Sequence, residues 1–205
     1  MEFDRLVIAT RNRDKFGEIA HILSDLSLEL LPLSRFPDCP EVVEDRPDFL
    51  GNARKKALEV AGHTGLYAVA DDSGLEVEAL GGRPGVLSSR YSGEKANYRA
   101  NNEKLLRELA GLPPERRKAR FRCVAVLARP GEVITHVDGA CEGVITDQPR
   151  GDGGFGYDPL FLVPELGKTF AELPAPLKNQ ISHRARAFRK FAEAVRVLLG
   201  DVTRC

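Results

Sequence analysis

Arg5-Leu6-Val7-Ile8-Ala9-Thr10-Arg11-Asn12 is a short apolar run that ends in polar residues. This is the pattern of a buried strand that delivers Thr10, Arg11 and Asn12 to the C-terminal edge of a sheet. A helix is expected next, because Phe16, Ile19, Ala20, Ile22 and Leu23 recur at the spacing of one helical face before Ser24-Asp25. Leu28 to Leu33 predicts a second strand, and the stretch through Pro32, Pro37 and Pro40 predicts a loop, since each proline denies the backbone a donor. A second helix is expected from near Pro47. Proline suits its first position, Asp45 and Asp48 suit the positive end of its dipole, and Phe49, Ala53, Ala57 and Val60 form a buried stripe up to Gly62.

Further along, Tyr67 to Ala70 reads as a strand that ends in Asp71-Asp72-Ser73-Gly74, with extended structure resuming over Leu75 to Leu80. Tyr98 to Leu109 predicts a helix. Ala119 to Ala128 and Glu132 to Ile145 predict strands joined through Arg129-Pro130-Gly131, most simply as an antiparallel hairpin. A short strand is expected at Leu160 to Val163 and a long helix from Ser182 to Leu199, where Ala185, Phe188, Phe191, Val195 and Leu198 keep helical spacing. Strands and helices alternate in the first half and strands cluster in the second, so the chain is expected to be α/β with a mixed sheet. Neither a linker nor an internal repeat is visible, and residues 1–205 are read as one domain.

Thirty basic residues balance thirty acidic ones, so no global field would hold the chain on nucleic acid or an anionic membrane. With 42% hydrophobic and 29% charged residues the composition is that of a globular domain, which excludes disorder, collagen and coiled coil. The cysteines Cys39, Cys123, Cys141 and Cys205 are scattered without a C-x-x-C pair, as reduced thiols rather than a zinc or redox site. Leu6 to Ala9 is too short for a signal-peptide core and nothing approaches the ~20 apolar residues of a membrane span. A cytoplasmic protein is expected.

Asp71 and Asp72 directly after an apolar strand are the most unusual cluster. The crevice beyond the strand ends of an open α/β sheet is where ligands bind. Adjacent carboxylates repel unless a cation or a proton relieves them, and Mg²⁺ takes one or two carboxylates together with phosphate oxygens and waters. A tight turn accounts equally well for Asp-Asp-Ser-Gly taken alone. Lys15, in the first turn of the helix after Thr10-Arg11-Asn12, could join the loop amides around one anion, while Lys55 and Lys56 are neighbours and cannot face the same way. Gly151-Asp152-Gly153-Gly154-Phe155-Gly156 formally matches a dinucleotide fingerprint, but a strand rather than a helix should follow it. Gly167-Lys168-Thr169 is not a P-loop, because Leu162 stands where its first glycine should be. What remains is a loop presenting Phe155 and Tyr157, whose faces could stack a base, with Asp158 beside them. Ser182 would cap the last helix, and His183 and Arg184 would be donors at its N-terminus.

Together these segments resemble the inosine triphosphate pyrophosphatase family of house-cleaning hydrolases. The resemblance is carried in order by Ala9 to Lys15, Phe49 to Ala57, Ala70 to Val86 with Ser89 to Gly93, Gly153 to Pro159, and Lys178 with Ile181 to Arg184. It implies an elongated mixed β-sheet flanked by helices, two lobes with a central active-site cleft, and a homodimer. The implied reaction cleaves non-canonical purine nucleoside triphosphates such as ITP, dITP and XTP to the monophosphate and pyrophosphate with Mg²⁺. Carried over by position, Thr10, Arg11, Asn12, Lys15 and Lys56 would address the triphosphate, and Asp72 would accept a proton and hold metal with Glu44. Ser73 would touch substrate, Phe155, Gly156, Tyr157, Asp158 and Lys178 would form the base and sugar pocket, and His183 and Arg184 would read the purine.

Three positions depart from the family's pattern. Arg11 stands where many members have glycine, Gly51 replaces a glutamate, and Asp48 replaces a threonine and could stand in for that glutamate at the metal. Two other readings are a pyrophosphatase acting on modified pyrimidine nucleotides and a sensor that binds the triphosphate without cleaving it. Ser182-His183-Arg184 speaks against the first, and the joint presence of Glu44 and Asp72 against the second.

Overall fold

A computed structural model of the chain describes residues 3–93 and 97–200; Cys205 lies outside them. The described chain forms a seven-stranded mixed sheet in the order β2-β1-β3-β4-β5-β6-β7. The strands are β1 (Arg5–Ile8), β2 (Glu29–Pro32), β3 (Tyr67–Val77), β4 (Lys118–Arg129), β5 (Glu132–Ile145), β6 (Phe161–Val163) and β7 (Lys168–Thr169), and the helices are α1 (Arg13–Ile22), α2 (Phe49–Thr64), α3 (Tyr98–Glu108), α4 (Ala175–Ile181) and α5 (His183–Leu199). β1 pairs parallel with β2 and with β3, and β6 pairs antiparallel with β5 and with β7. The expected mixed sheet is therefore present, with its parallel part where strands and helices alternate. Pro32, expected in a loop, closes β2, which an edge strand tolerates because one side of it needs no donor.

The chain divides into two compact units. One comprises residues 1–72, 123–139 and 184–205, and the other residues 73–122 and 140–183. The first unit is built in three layers by the alternation of β3. Val69 packs with Cys123, Ala125, Ile19 of α1 and Phe188 and Phe191 of α5, whereas Ala68 and Ala70 pack with Ala53, Ala57 and Ala61 of α2. Side chains two apart on a strand share a face, so the same alternation sends Asp71 and Asp72 to opposite sides of the sheet. In the second unit Leu75, Val77, Leu105, Leu109, Phe121, Phe161 and Phe170 make the core.

Three elements differ from expectation. β3 does not stop at Ala70; it continues through Asp71-Asp72-Ser73-Gly74 to Val77. The acids are thus ladder residues and not a turn. The second helix starts at Phe49, with Asp48 as its cap accepting from the Gly51 amide at 2.7 Å. α4 was not foreseen, because Pro174 and Pro176 mask it as a breaker segment although proline is at home in a helix's first turn.

Candidate functional site

In the first unit, Asn12 caps α1, its carboxamide oxygen accepting from the amides of Asp14 at 2.9 Å and Lys15 at 3.1 Å, and Thr10 Oγ1 accepts from the Asn12 amide at 3.2 Å. This fixes the strand-to-helix corner and sets the direction of Lys15, whose Nζ lies 3.1 Å from Asp71 Oδ2. Arg11 reaches away to donate to the Cys39 carbonyl, so the residue that replaces the family's glycine ties the corner to the loop after β2.

Lys55 and Lys56 do face apart, and both grip the segment that carries Glu44. Lys55 Nζ donates to Val43 O at 2.8 Å and Asp45 Oδ1 at 3.0 Å, while Lys56 Nζ donates to Glu44 Oε1 at 2.5 Å and to Asp71 O at 2.7 Å. On the same side of β3, Asn52 Nδ2 donates to Asp72 Oδ2 at 2.9 Å. Burial pushes the Glu44 carboxyl up, but the charge and hydrogen bond of Lys56 outweigh it and hold the group below its ordinary value. For Asp72 burial wins: with Glu44 adding repulsion, it stays above the ordinary range despite Lys56, Lys15 and Asn52. The Lys56 ammonium loses hydration by burial, yet Glu44 and Asp71 keep it firmly protonated.

Asp71, on the opposite face, is the centre of a second charge cluster. Arg184, only 2% exposed, places Nη1 2.5 Å from Glu18 Oε2 and Nε 3.5 Å from Asp71 Oδ2, and Lys15 meets the same Asp71 oxygen. Burial works against the guanidinium charge, and Asp71 and Glu18 more than compensate. Arg184, expected beside His183 as a donor to a ligand, meets two carboxylates of the chain. Glu18 was not among the expected site residues, and Asp71 was singled out only together with Asp72, with no role of its own. Adjacent acids on one strand were the available signal for Asp71, since they must serve opposite faces; nothing local announces that Glu18 meets a residue 166 positions away.

Whether Glu44 and Asp72 suit Mg²⁺ turns on the donor chemistry. Among the described residues no group of three or more His, Cys, Asp and Glu side chains is arranged to hold a metal. Mg²⁺ does not need one: it accepts one or two carboxylates and completes its octahedron with phosphate oxygens and waters. Two hard oxygen donors that interact electrically and are each oriented by a fixed hydrogen bond fit that requirement. The Asp48 carboxylate caps α2, and a Cβ at Gly51 would lie 2.8 Å from Arg46 Cβ, so a side chain at the departed glutamate position requires Arg46 to shift.

In the second unit, Lys178 is 5% exposed and its Nζ lies 2.5 Å from Asp158 Oδ2 and 4.8 Å from the centre of the Phe155 ring. The same Asp158 oxygen accepts from the Phe155 amide at 2.9 Å. Gly154, at φ +69°, makes the approach feasible, because a Cβ there would come within 2.1 Å of Asp158 Oδ2. Gly154→Ala is expected to lower stability by about 1–2 kcal/mol, measured by urea unfolding; an unchanged midpoint would show that the loop does not need this backbone shape. As expected, the glycine-rich loop leads into a strand and Gly167-Lys168-Thr169 enters β7, so neither is a nucleotide fingerprint.

Tyr157 requires a correction. It is 4% exposed, and its hydroxyl donates to Ser88 O at 2.9 Å, so it belongs to the core and presents no face to a base. Burial raises its phenol pKa strongly. Gly156 accepts from Asn102 Nδ2 at 3.0 Å, and Ser73 stands half-buried on β3. Ser182 ends α4, its amide bonding Lys178 O at 3.0 Å, and α5 begins at His183. The His183 ring stacks on Phe121 at 4.6 Å and 13°, which locks its plane.

In this α/β chain, then, one strand carries two adjacent acids, and lysines from two helices, Lys15 of α1 and Lys56 of α2, reach them. The chain belongs to the Ham1 family, whose model matches residues 6–194. It is 58% identical over 183 residues to a dITP/XTP pyrophosphatase of Geobacter sulfurreducens, covering 89% of this chain and 92% of that one. It is 51% identical to the enzyme of the same name from Desulforamulus reducens, over 92% of this chain and 94% of the other. The solved structure of a HAM1 protein from Coxiella burnetii matches with a TM-score of 0.86 at 38% identity, covering 94% of this chain and 98% of that one.

Proposed function

We propose that this chain hydrolyses non-canonical purine nucleoside triphosphates, ITP, dITP and XTP, to the monophosphate and pyrophosphate, with Mg²⁺, as one catalytic domain. The observation that carries this reading is the meeting of Glu44, Lys56, Asp71 and Asp72 from three separate segments, with Lys15 on the adjoining Asp71 carboxylate. The names of the relatives support the choice of substrate. A homodimer working in the cytoplasm belongs to the same reading and comes from the family resemblance.

Bound Mg²⁺ would supply charge neutralisation to the departing pyrophosphate. Glu44 and Asp72 would hold it. Lys56 holds Glu44 ionised, Lys15 would supply charge at the phosphate end, and Asp72 takes the proton of the attacking water at a carboxylate oxygen. Asn52 holds Asp72 in place for that step. At the base, Phe155 braced by Lys178 offers a ring for stacking, and His183, its plane set by Phe121, offers a donor to the C6 carbonyl of hypoxanthine or xanthine. Adenine presents an amino group there and leaves both sides without a partner, a mismatch that can discriminate by about 10⁴. Arg184 takes part as a positioning residue that fixes Asp71, and through it Lys15.

Pyrophosphate release from ITP, dITP, XTP, GTP, ATP and dTTP, each with Mg²⁺ and with EDTA, tests the reading. Cleavage is expected mainly with ITP, dITP and XTP and only with the metal. Binding of ITP without cleavage would replace the enzyme by a sensor, and a preference for dTTP would overturn the purine assignment.

A further inference from the structure

The base loop was expected to present two aromatic faces, and the burial of Tyr157 leaves Phe155 with a different neighbour. Tyr98, the first residue of α3, lies with its ring centre 6.2 Å from that of Phe155 at an interplanar angle of 40°. It is 40% exposed, an unusual position for a large aromatic that already touches another ring. One helical turn further on, Asn102 donates to Gly156 O at 3.0 Å, so the same face of α3 holds both the ring and the backbone of the loop. Asn102 Oδ1 is buried and meets no hydrogen-bond partner among the described residues, which leaves Nδ2 to Gly156 as the bond that sets the carboxamide.

We infer that Tyr98 is a substrate-binding residue that supplies the second aromatic surface for the purine, with Asn102 as the positioning residue that docks the Phe155-Gly156 turn against α3. This rests on the reading of the loop as the base site. The division of labour is physical. Phe155 packs against the Lys178 ammonium, 4.8 Å from its centre, and the more exposed Tyr98 adds a second ring beside it. Every base has a π-face, so such a shelf adds affinity without choosing among bases, while the choice stays with donors such as His183. Tyr98 lies 57 residues from Phe155 in sequence and has a basic and polar neighbourhood, Asn97 and Arg99-Ala100-Asn101, that reads as an ordinary solvated helix start.

Wild type, Tyr98→Ala, Tyr98→Phe and Asn102→Ala are compared in three measurements: kcat and KM for ITP with Mg²⁺, inhibition by inorganic tripolyphosphate, and ITP affinity by calorimetry in EDTA. Tyr98→Ala is expected to raise KM and weaken ITP binding about tenfold, with kcat within about twofold and the tripolyphosphate inhibition constant unchanged, since that probe has no base. Tyr98→Phe keeps the face and restores wild-type values. Asn102→Ala raises KM in the same sense, by less. A KM and ITP affinity for Tyr98→Ala within twofold of wild type overturns the inference, as does a tripolyphosphate constant that moves in step with KM. If wild type binds ITP without releasing pyrophosphate, the proposed reaction fails while the calorimetric comparison still decides the role of Tyr98. Absence of ITP binding by wild type overturns both.

Discussion

Asp72→Asn is expected to lower pyrophosphate release from ITP by about 10²- to 10⁴-fold, the range spanned by loss of a positioned general base. The substitution is close to isosteric and keeps an oxygen able to accept from Asn52 Nδ2, now at 2.9 Å. Folding should therefore survive, which separates the loss of chemistry from the loss of structure. Lys56 should stay paired with Glu44. The measurement is kcat at saturating ITP and Mg²⁺, with a thermal melt alongside. A variant that retains its melting temperature and more than about a tenth of the wild-type turnover would remove Asp72 from the proton-transfer role.

Arg184→Ala should act on the fold more than on the choice of base. Sequence position alone, next to His183, favours a loss of selectivity between ITP and ATP with modest effect on turnover. The packed side chain argues otherwise. Its guanidinium is 2% exposed and lies between Glu18 and Asp71, so truncation leaves two carboxylates, one of them buried, facing a cavity. Breaking a buried ion pair by removing one partner costs about 3–5 kcal/mol, and chemical denaturation should report a loss of that size. Lys15 shares the same Asp71 oxygen, so the KM for ITP should also rise. Adding Glu18→Gln should recover part of the lost stability, because the two side chains act as one unit and their effects are not additive. Stability within about 1 kcal/mol of wild type, with ITP preference over ATP abolished, would return Arg184 to the base.

Local sequence carried much of this protein. The apolar run Leu6 to Ile8, the helical spacing of Phe16 to Leu23, and the alternation of helices and strands followed by a hairpin at Pro130-Gly131 define a mixed α/β sheet, because each rests on periodicities of one element. The motifs also placed Glu44, Lys56 and Asp72 in one reaction by resemblance, and the structure does bring them together. The tertiary structure decided what depends on residues far apart in the chain. It extended β3 through both acids, since ladder hydrogen bonds to neighbouring strands override the turn preference of Asp-Asp-Ser-Gly. That extension put Asp71 on the face of α1 and α5, where Glu18, Lys15 and Arg184 neutralise it, and left Asp72 to Asn52 and Lys56. It buried Tyr157 and set Tyr98 beside Phe155. A strand's faces and a helix's spacing are properties of neighbouring residues, whereas the partner of a buried charge or an exposed ring is a property of the closed chain, and no local pattern contains it.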